Sequence, residues 1–226
     1  PYAFVSYTPG DRIEMKRNDT YWGPKAQWDK VSYRYIANPA ARTAALLSGD
    51  VDMIDKVSFS DIEKLEKNPR VKVWSYPGLR VLILQPSFNP APSKFITDKA
   101  GKPLDKNPLL DVRVRKALNM AINRDAIADR VARGGVTVAT QWMPADTFGY
   151  NPDYAKIAVD PSKAKALLAE AGYPDGFKLT IHVPGERYPL APETAQAVAQ
   201  FWTRIGVETQ VEVVPFSVYV SGANKN

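Results

Sequence analysis

The chain has no cysteine and a single histidine, His182, among its 226 residues. The absence of cysteine excludes disulfides, thiolate nucleophiles and cysteine-ligated metals, and it is compatible with a reducing or an oxidising compartment. One histidine provides neither a pair of metal ligands nor a second histidine to assist it as a base. We therefore interpret His182 as a surface residue of a strand.

Several motifs of phosphate binding and hydrolysis are also missing. The sequence contains no glycine-rich phosphate loop, no Gly-x-Ser-x-Gly elbow and no His-Glu-x-x-His. Its closely spaced acids, such as Asp50 with Asp52 and Glu170 with Asp175, lie beside predicted caps and turns, where carboxylates have structural roles. Nothing in the sequence requires catalysis, and we expect no catalytic residue, no metal and no cofactor.

No apolar run approaches the length of a membrane span, and the longest, Val81 to Leu84, is only as long as a short strand. The chain begins with Pro1 and has no basic segment followed by an apolar one, so no targeting signal can be identified. Its last ten residues, from Ser217 to Asn226, read as the start of a helix. We expect this chain to be an internal part of a longer protein.

The charge of the chain is moderately basic, with 30 Lys and Arg against 24 Asp and Glu and a formal net charge of +6. The basic residues are scattered among acids, which is typical of a solvated surface and not of a nucleic-acid interface. A hydrophobic content of 45% is sufficient for one large domain or two smaller ones. We therefore expect no nucleic-acid partner.

Periodicity and turn residues predict a mixed α/β chain. In the first part they predict a hairpin, a third strand, two helices and three further strands, and the second helix has a capping box at Ser60. The last of these strands leads into Pro86, Pro90 and Pro92, which we interpret as a change of domain, and residues 89–108, rich in Pro, Lys and Asp, are predicted to form a long surface loop. The predicted strands are 2–7, 12–17, 31–36, 51–54, 71–76 and 81–85, and the predicted helices are 39–49 and 60–67.

The stretch from Asp111 to Ile127 predicts a helix, a cap and a second helix. Five apolar residues share one helical face, Asp111 caps the first helix, and Asn123 caps the second. We interpret this unit as part of the scaffold. The five residues are Val114, Ala117, Leu118, Ala121 and Ile122.

The last third predicts a helix that begins at Asp160-Pro161 and ends at Gly172, followed by a strand, a crossover helix and a strand. The two strands, Phe177–Val183 and Val207–Val213, alternate apolar and polar residues, and this connection favours a parallel, right-handed arrangement. Before this helix, the loop 140–152 carries Trp142, Met143, Phe148 and Tyr150. These side chains either cover the edge of a core, which we favour, or line a ligand cleft.

The candidate ligand site is the loop at 185–189, which follows the strand ending at Val183. In parallel sheets, ligands bind at the carboxyl ends of the strands, where this loop lies. Arg187 is suited to clamp a carboxylate with two parallel hydrogen bonds, and Tyr188 offers a flat face with a polar tip. The alternative is an Arg187 in solvent beside a Tyr188 that packs on Pro189.

Several blocks of the sequence resemble the family 5 extracellular solute-binding proteins, the dipeptide-, oligopeptide- and nickel-binding components of ABC importers. They occur in the order of that family and together cover nearly the whole chain. After Gly10-Asp11 the blocks are MKRNDTYWG, ANPAARTAALLSGDVDMI, DVRVRKALNMAINRDAI, AEAGYPDGF and FWTRIGV.

This resemblance implies an α/β, periplasmic-binding-protein-like fold of type II, cluster C, with two lobes. Residues 1–79 would form part of the first lobe and residues 80–226 the first part of the second large lobe. The N-terminal segment of the family, with its signal sequence and small extra domain, and the C-terminal segment would lie outside this chain.

The resemblance further implies a non-enzymatic receptor without a cofactor, which binds di- or oligopeptides between its lobes and delivers them to a permease. It implies a monomer that is periplasmic or lipid-anchored and extracellular. Arg187 and Tyr188 look like the family's peptide-binding Arg and nearby Tyr, and the acid that holds the peptide's amino terminus is expected beyond Asn226. The alternatives are a receptor for a metal chelate, sugar or opine and, more remotely, a peptide hydrolase.

Overall fold

A computed structural model describes residues 1–76, 78–145, 147–154, 156–185 and 187–223. The chain divides into two compact units, Pro1–Trp74 and Ser75–Asn226, whereas the sequence suggested a boundary after residue 79. That these units belong to two different lobes stays a prediction. Within the described ranges, none of the helices combines the length and the apolar character needed to cross a membrane.

The first unit begins with an antiparallel sheet of three strands in the order β1-β2-β3. The strands are β1 (Tyr2–Thr8), β2 (Arg12–Arg17) and β3 (Lys30–Arg34). Gly10 adopts a φ of 75° in the turn between β1 and β2, where the Asp11 N–H donates to the Thr8 carbonyl at 3.1 Å. The predicted hairpin and third strand are thereby confirmed.

Two helices follow in this unit, α1 (Pro39–Ser48) and α2 (Phe59–Glu66). The Asn38 side chain accepts the Ala41 N–H at the start of α1. The buried Thr43 hydroxyl joins the two helices by donating to the Asp61 carboxylate at 2.8 Å. The prediction of a capping box at Ser60 is wrong, because the cap position is Ser58 and its hydroxyl bonds to that of Ser60 instead of to the helix backbone.

Three predicted strands, at 51–54, 71–76 and 81–85, are absent from the described residues. Their sequences alternate as strands do, yet a strand forms only where a neighbouring chain accepts and donates its backbone hydrogen bonds. Among the described residues of 72–86, no backbone N–H or carbonyl takes part in a hydrogen bond. These predictions were wrong because the described chain places no partner strand beside them.

The second unit combines a small sheet with helices. Its strands are β4 (Ile96–Thr97), β5 (Lys178–Pro184) and β6 (Glu208–Val214), with β5 between an antiparallel β4 and a parallel β6. The parallel pair predicted from the sequence is confirmed. The helices are α3 (Val112–Ala121), α4 (Arg124–Arg130), α5 (Pro161–Glu170), α6 (Ala191–Arg204) and α7 (Phe216–Ala223).

One hydrophobic core holds the second unit together, and the predicted buried face of α3 belongs to it. The Trp202 side chain of α6 is buried in this core, and its indole N–H donates to the Leu118 carbonyl of α3 at 2.8 Å. The unit from Asp111 to Ile127 is therefore scaffold, as the sequence indicated. Other core residues include Ala164, Leu168, Phe177, Leu179, Ile181, Val183, Ala195, Val198, Ile205 and Val207.

Asp111 caps α3 and is also paired with an arginine. Its carboxylate accepts the backbone N–H of Arg113 at 2.8 Å and the guanidinium of the same residue at 2.6 Å. The side-chain hydrogen bond from Arg113, followed by the backbone hydrogen bond, lowers the pKa of Asp111 from 3.8 to about 2. Arg113 also donates to the Glu170 carbonyl at 2.7 Å, which connects this cap to the end of α5.

Replacing Asp111 by asparagine is expected to make the protein less sensitive to acid. Because the pKa of Asp111 is lower in the folded state than in the unfolded chain, its charge stabilises the fold above pH 4. That stabilisation is lost as the pH falls from about 4 to about 2. The free energy of unfolding, measured with urea across this range, should fall less steeply for Asp111→Asn than for the wild type.

Arg113→Met provides the matching control, since it removes the guanidinium and leaves the carboxylate in place. It should flatten the same part of the pH profile. An unchanged acid slope in both variants would show that the pair does not act in this way.

Candidate ligand-binding site

The predicted ligand loop lies at the carboxyl end of β5, next to the carboxyl end of its parallel neighbour β6. The Gly185 N–H donates to the Val214 carbonyl at 3.1 Å, which ties the first residue of the loop to β6. A Cβ atom at Gly185 would lie 2.9 Å from Cγ1 of Val213. Glycine therefore allows the loop to approach the end of β6 closely.

The loop ends directly at the first turn of α6. The Tyr188 carbonyl accepts the Ala191 N–H at 3.3 Å, and the Leu190 carbonyl accepts the Thr194 N–H at 2.9 Å. Leu190 itself adopts a left-handed conformation with a φ of 60°, which turns the chain sharply into the helix. Glu186 was also part of the predicted site and lies outside the described residues.

Arg187 is exposed and makes cation–π contacts with two aromatic side chains. Its guanidinium carbon lies 5.9 Å from the ring centroid of Tyr188 and 5.0 Å from that of Phe216. Among the described residues, no carboxylate or carbonyl accepts a hydrogen bond from Arg187. Within the described part of the chain, its N–H groups are therefore available to an acceptor on a ligand.

The two rings are partly exposed, with 40% of Tyr188 and 41% of Phe216 accessible to solvent. The arrangement joins a cation to flat apolar surface, which suits a ligand that carries a carboxylate beside apolar atoms. The alternative considered from the sequence, an arginine in solvent, agrees with the exposure of Arg187 but does not include its contacts with the rings of Tyr188 and Phe216.

Phe216 was missed in the sequence. It begins α7, immediately beyond the end of β6, and so lies at the same edge of the sheet as the loop after β5. The rule that ligands bind at the carboxyl ends of parallel strands applies equally to both strands. If we had applied this rule to β6 as well as to β5, the sequence would have identified Phe216 as a candidate site residue.

His182 contacts two side chains of the scaffold, one acidic and one aromatic. It faces away from the core residues of β5, and its Nε2 lies 2.9 Å from a carboxylate oxygen of Glu212, its register partner on β6. Its ring also meets the edge of Phe95, with 4.4 Å between centroids. The interpretation as a strand residue outside the core is confirmed. In the part of the chain that the structure describes, no three His, Asp or Glu side chains form a metal-binding cluster.

The loop at 140–152 is closed by two reciprocal hydrogen bonds between Gln141 and Asn151. The Gln141 side chain donates to the Asn151 carbonyl at 2.7 Å and accepts the Asn151 N–H at 2.9 Å. Trp142, Met143 and Phe148 are nevertheless exposed, Phe148 completely. The interpretation that this loop covers a core edge is wrong for the described residues, because its large side chains point away from the core.

A cavity of about 140 Å³ lies beside the start of α4. Its other walls come from residues 138–140 and from Lys156, Ile157 and Val159. Its charged groups already have partners within the chain. Arg124 donates to the Asn119 side chain and to the Ile122 carbonyl, and burial lowers the pKa of this arginine. Lys156 pairs with Asp125 at 3.1 Å. This cavity is therefore less suited than the Arg187 loop to a charged ligand.

Comparison with solved structures defines the class of protein. The chain is similar to the ABC transporter-associated periplasmic binding protein DppA from Helicobacter pylori in complex with the peptide STSA, with a TM-score of 0.70 and 30% identity over 97% of this chain and 39% of that one. It is also similar to HbpA2 from Haemophilus parasuis, with a TM-score of 0.68 and 30% identity over 100% of this chain and 42% of that one. The predicted α/β, periplasmic-binding-protein-like fold is confirmed.

The family follows from the sequence comparison. The model of the bacterial extracellular solute-binding proteins, family 5 Middle, matches residues 1–226, and the chain belongs to this family. It is 30% identical to the dipeptide-binding protein of Escherichia coli K12, over 99% of this chain and 39% of that protein. It is 32% identical to heme-binding protein A of Haemophilus influenzae, over 92% of this chain and 36% of that protein. The chain thus spans about two fifths of the length of these curated relatives.

Proposed function

We propose that this chain is part of the substrate-binding component of an ABC importer, which binds di- or oligopeptides in a cleft between two lobes and delivers them to a membrane permease. The observation that carries the proposal is Arg187, whose N–H groups are available at the carboxyl ends of β5 and β6. A relative described as a dipeptide-binding protein and a solved relative with a bound peptide support it.

Arg187 is the group that holds the carboxylate of the peptide. Two of its N–H groups donate in parallel to the two carboxylate oxygens, which fixes the orientation of the peptide end as well as its charge. Tyr188 lies beside this clamp and offers its ring to apolar atoms of the ligand and its hydroxyl to a polar one. Both residues stay at the edge of the sheet because the Gly185 N–H bonds to β6 and because Leu190 turns the chain into α6.

The rest of the proposal concerns the whole protein. Pro1–Trp74 belongs to the first lobe and Ser75–Asn226 to the second. The receptor acts as a monomer, outside the cytoplasmic membrane, either in the periplasm or anchored to a lipid. Its partners are the solute and the permease subunits, it binds no nucleic acid, and it performs neither catalysis nor cofactor chemistry.

The ligand of the complete protein tests this proposal. Small molecules that copurify with the protein should be identified by mass spectrometry, and calorimetry should then compare the peptides STSA and Met-Leu with glutathione, heme and nickel-histidine. We expect peptides to be recovered and to bind. Binding of heme or nickel-histidine, without binding of any peptide, would reject a peptide receptor.

A second candidate function is a receptor of the same family for a non-peptide solute such as a metal chelate, sugar or opine. The relative described as heme-binding protein A favours it. An arginine between two partly exposed rings also suits a flat solute that carries a carboxylate. The same ligand panel separates this candidate from the first.

The more remote alternative of a peptide hydrolase has little support in the structure. His182 bonds to Glu212, and among the described residues no Ser or Thr hydroxyl forms a hydrogen bond with its ring. A histidine base needs such a nucleophile within reach. Turnover of a peptide library by the purified protein would revive this alternative.

A further inference from the structure

We propose that Phe216 is a positioning residue of the binding site, which holds the Arg187 guanidinium so that its N–H groups face the carboxylate of the ligand. This inference rests on the proposed function, since it assigns to Phe216 a role in the same site. Phe216 acts through Arg187 and needs no contact of its own with the ligand.

The stacking geometry gives the ring this role. A guanidinium is planar, and all five of its N–H donors lie in or near that plane. An aromatic ring attracts the flat face of the cation and occupies none of the donors. The guanidinium carbon of Arg187 lies 5.0 Å from the Phe216 centroid, within cation–π range, and a contact through the flat face of the cation would leave its hydrogen-bonding edge free.

The position of Phe216 is fixed by the backbone of the parallel strand pair. The register of β5 and β6 continues to Pro184 and Val214, and the Gly185 N–H then donates to the Val214 carbonyl. Phe216 is the first residue of α7, whose first turn is closed by the Tyr219 N–H donating to the Pro215 carbonyl at 3.0 Å. The ring and the guanidinium thus come from two segments that are joined at the same sheet edge.

Arg187 needs such support because its side chain is long and exposed. Among the described residues, no acid or carbonyl accepts a hydrogen bond from its guanidinium, which instead makes cation–π contacts with the rings of Tyr188 and Phe216. Phe216 makes the closer of the two. An arginine that a ring already holds loses less conformational freedom when it binds a carboxylate, and the ligand binds more tightly as a result.

The test replaces Phe216 in the complete protein by leucine, which removes the ring, or by tyrosine, which retains it. Calorimetry compares the peptide STSA with the same peptide amidated at its carboxyl end. Phe216→Leu should bind STSA about three- to tenfold more weakly than the wild type, the scale of one cation–π contact. Its affinity for the amidated peptide should be unchanged, and Phe216→Tyr should behave as the wild type.

Nuclear magnetic resonance gives a readout of the geometry without any peptide. The Arg187 Nε–H resonance, observed with ¹⁵N-labelled arginine, should carry the ring-current shift of Phe216. This shift should move towards that of a free arginine in Phe216→Leu and remain in Phe216→Tyr. A resonance that does not move in Phe216→Leu overturns the inference.

The outcomes separate the inference from the proposed function. If the wild type does not distinguish the free from the amidated peptide, the proposed carboxylate site fails, and the role of Phe216 fails with it. If the wild type distinguishes them and Phe216→Leu does so equally well, only the inference about Phe216 is overturned. Equal weakening towards both peptides would also overturn it, because a general loss of packing has no preference for a carboxylate.

Discussion

Arg187→Ala in the complete protein is expected to weaken binding of a carboxylate-bearing peptide by about 1.5 to 3 kcal/mol, the range of a hydrogen bond to a charged group. Among the described residues the guanidinium has no acid partner, so its removal leaves none of their charges unpaired. The loss should therefore reflect the missing bonds to the ligand. Calorimetry with STSA measures it directly.

Two comparisons make this experiment specific. The amidated peptide, which lacks the negative charge, should bind wild type and Arg187→Ala with similar affinity. Arg204 provides a matched control, because its guanidinium also stacks on a ring, that of Phe201, but lies at the far end of α6. Arg204→Ala should leave the affinity unchanged. Wild-type affinity for STSA in Arg187→Ala would reject the assignment of Arg187.

Phe177→Ala is expected to lower the free energy of unfolding of the second unit by about 3 to 5 kcal/mol, the cost of truncating a large aromatic side chain in a core. Phe177 is completely buried, and its ring meets that of Tyr173 edge to face, with 5.3 Å between centroids. It lies immediately before β5, where the helices pack onto the sheet. Alanine would leave a cavity that backbone hydrogen bonds keep from closing.

Phe148→Ala is the matched control, since it removes the same atoms from a side chain that is completely exposed. It should change the free energy of unfolding by no more than about 0.5 kcal/mol. Urea unfolding is followed by tryptophan fluorescence in a background where the chain's four other tryptophans, all exposed, are replaced by phenylalanine, so that the buried Trp202 reports on the second unit. Equal effects of the two substitutions would show that Phe177 is not a core residue in solution.

Helix caps and parallel strands were predictable because their causes are local in the sequence. Asn38, Asp111, Asn123 and Asp160 all accept the backbone N–H expected of a cap. The two strands of alternating apolar and polar residues, separated by a helix, likewise favoured a single arrangement, the parallel one. In these cases a few neighbouring residues determine the local structure.

The wrong predictions concern features that depend on distant parts of the chain. The segments 71–76 and 81–85 have the composition of strands, but strand formation depends on a neighbour that their own sequence does not specify. The loop 140–152 likewise has the composition of a core cover, yet its large side chains are exposed, and whether a core lies beneath them depends on parts of the chain outside the loop.

The candidate site shows the same division between local and distant causes. Arg187 and Tyr188 were identified because they directly follow a predicted strand whose end lies at the ligand-binding edge of a sheet. Phe216 comes from the neighbouring strand, and its contact with Arg187 depends on the register of β5 and β6. That register is fixed by backbone pairing, which has no signature in the sequence of the loop.

The described residues of 72–86 form no backbone hydrogen bonds, and this has a consequence for the handling of the protein. Proteases bind their substrates as extended chains, and a segment whose described backbone groups form no hydrogen bonds within the chain is open to that binding. Trp74 is 81% exposed, and its side chain is one that a chymotrypsin-like pocket accepts, whereas Tyr76 is followed in the sequence by a proline, which blocks cleavage after it. Cleavage after Trp74 would fall at the junction of Pro1–Trp74 with Ser75–Asn226 and would cut the chain between its two units.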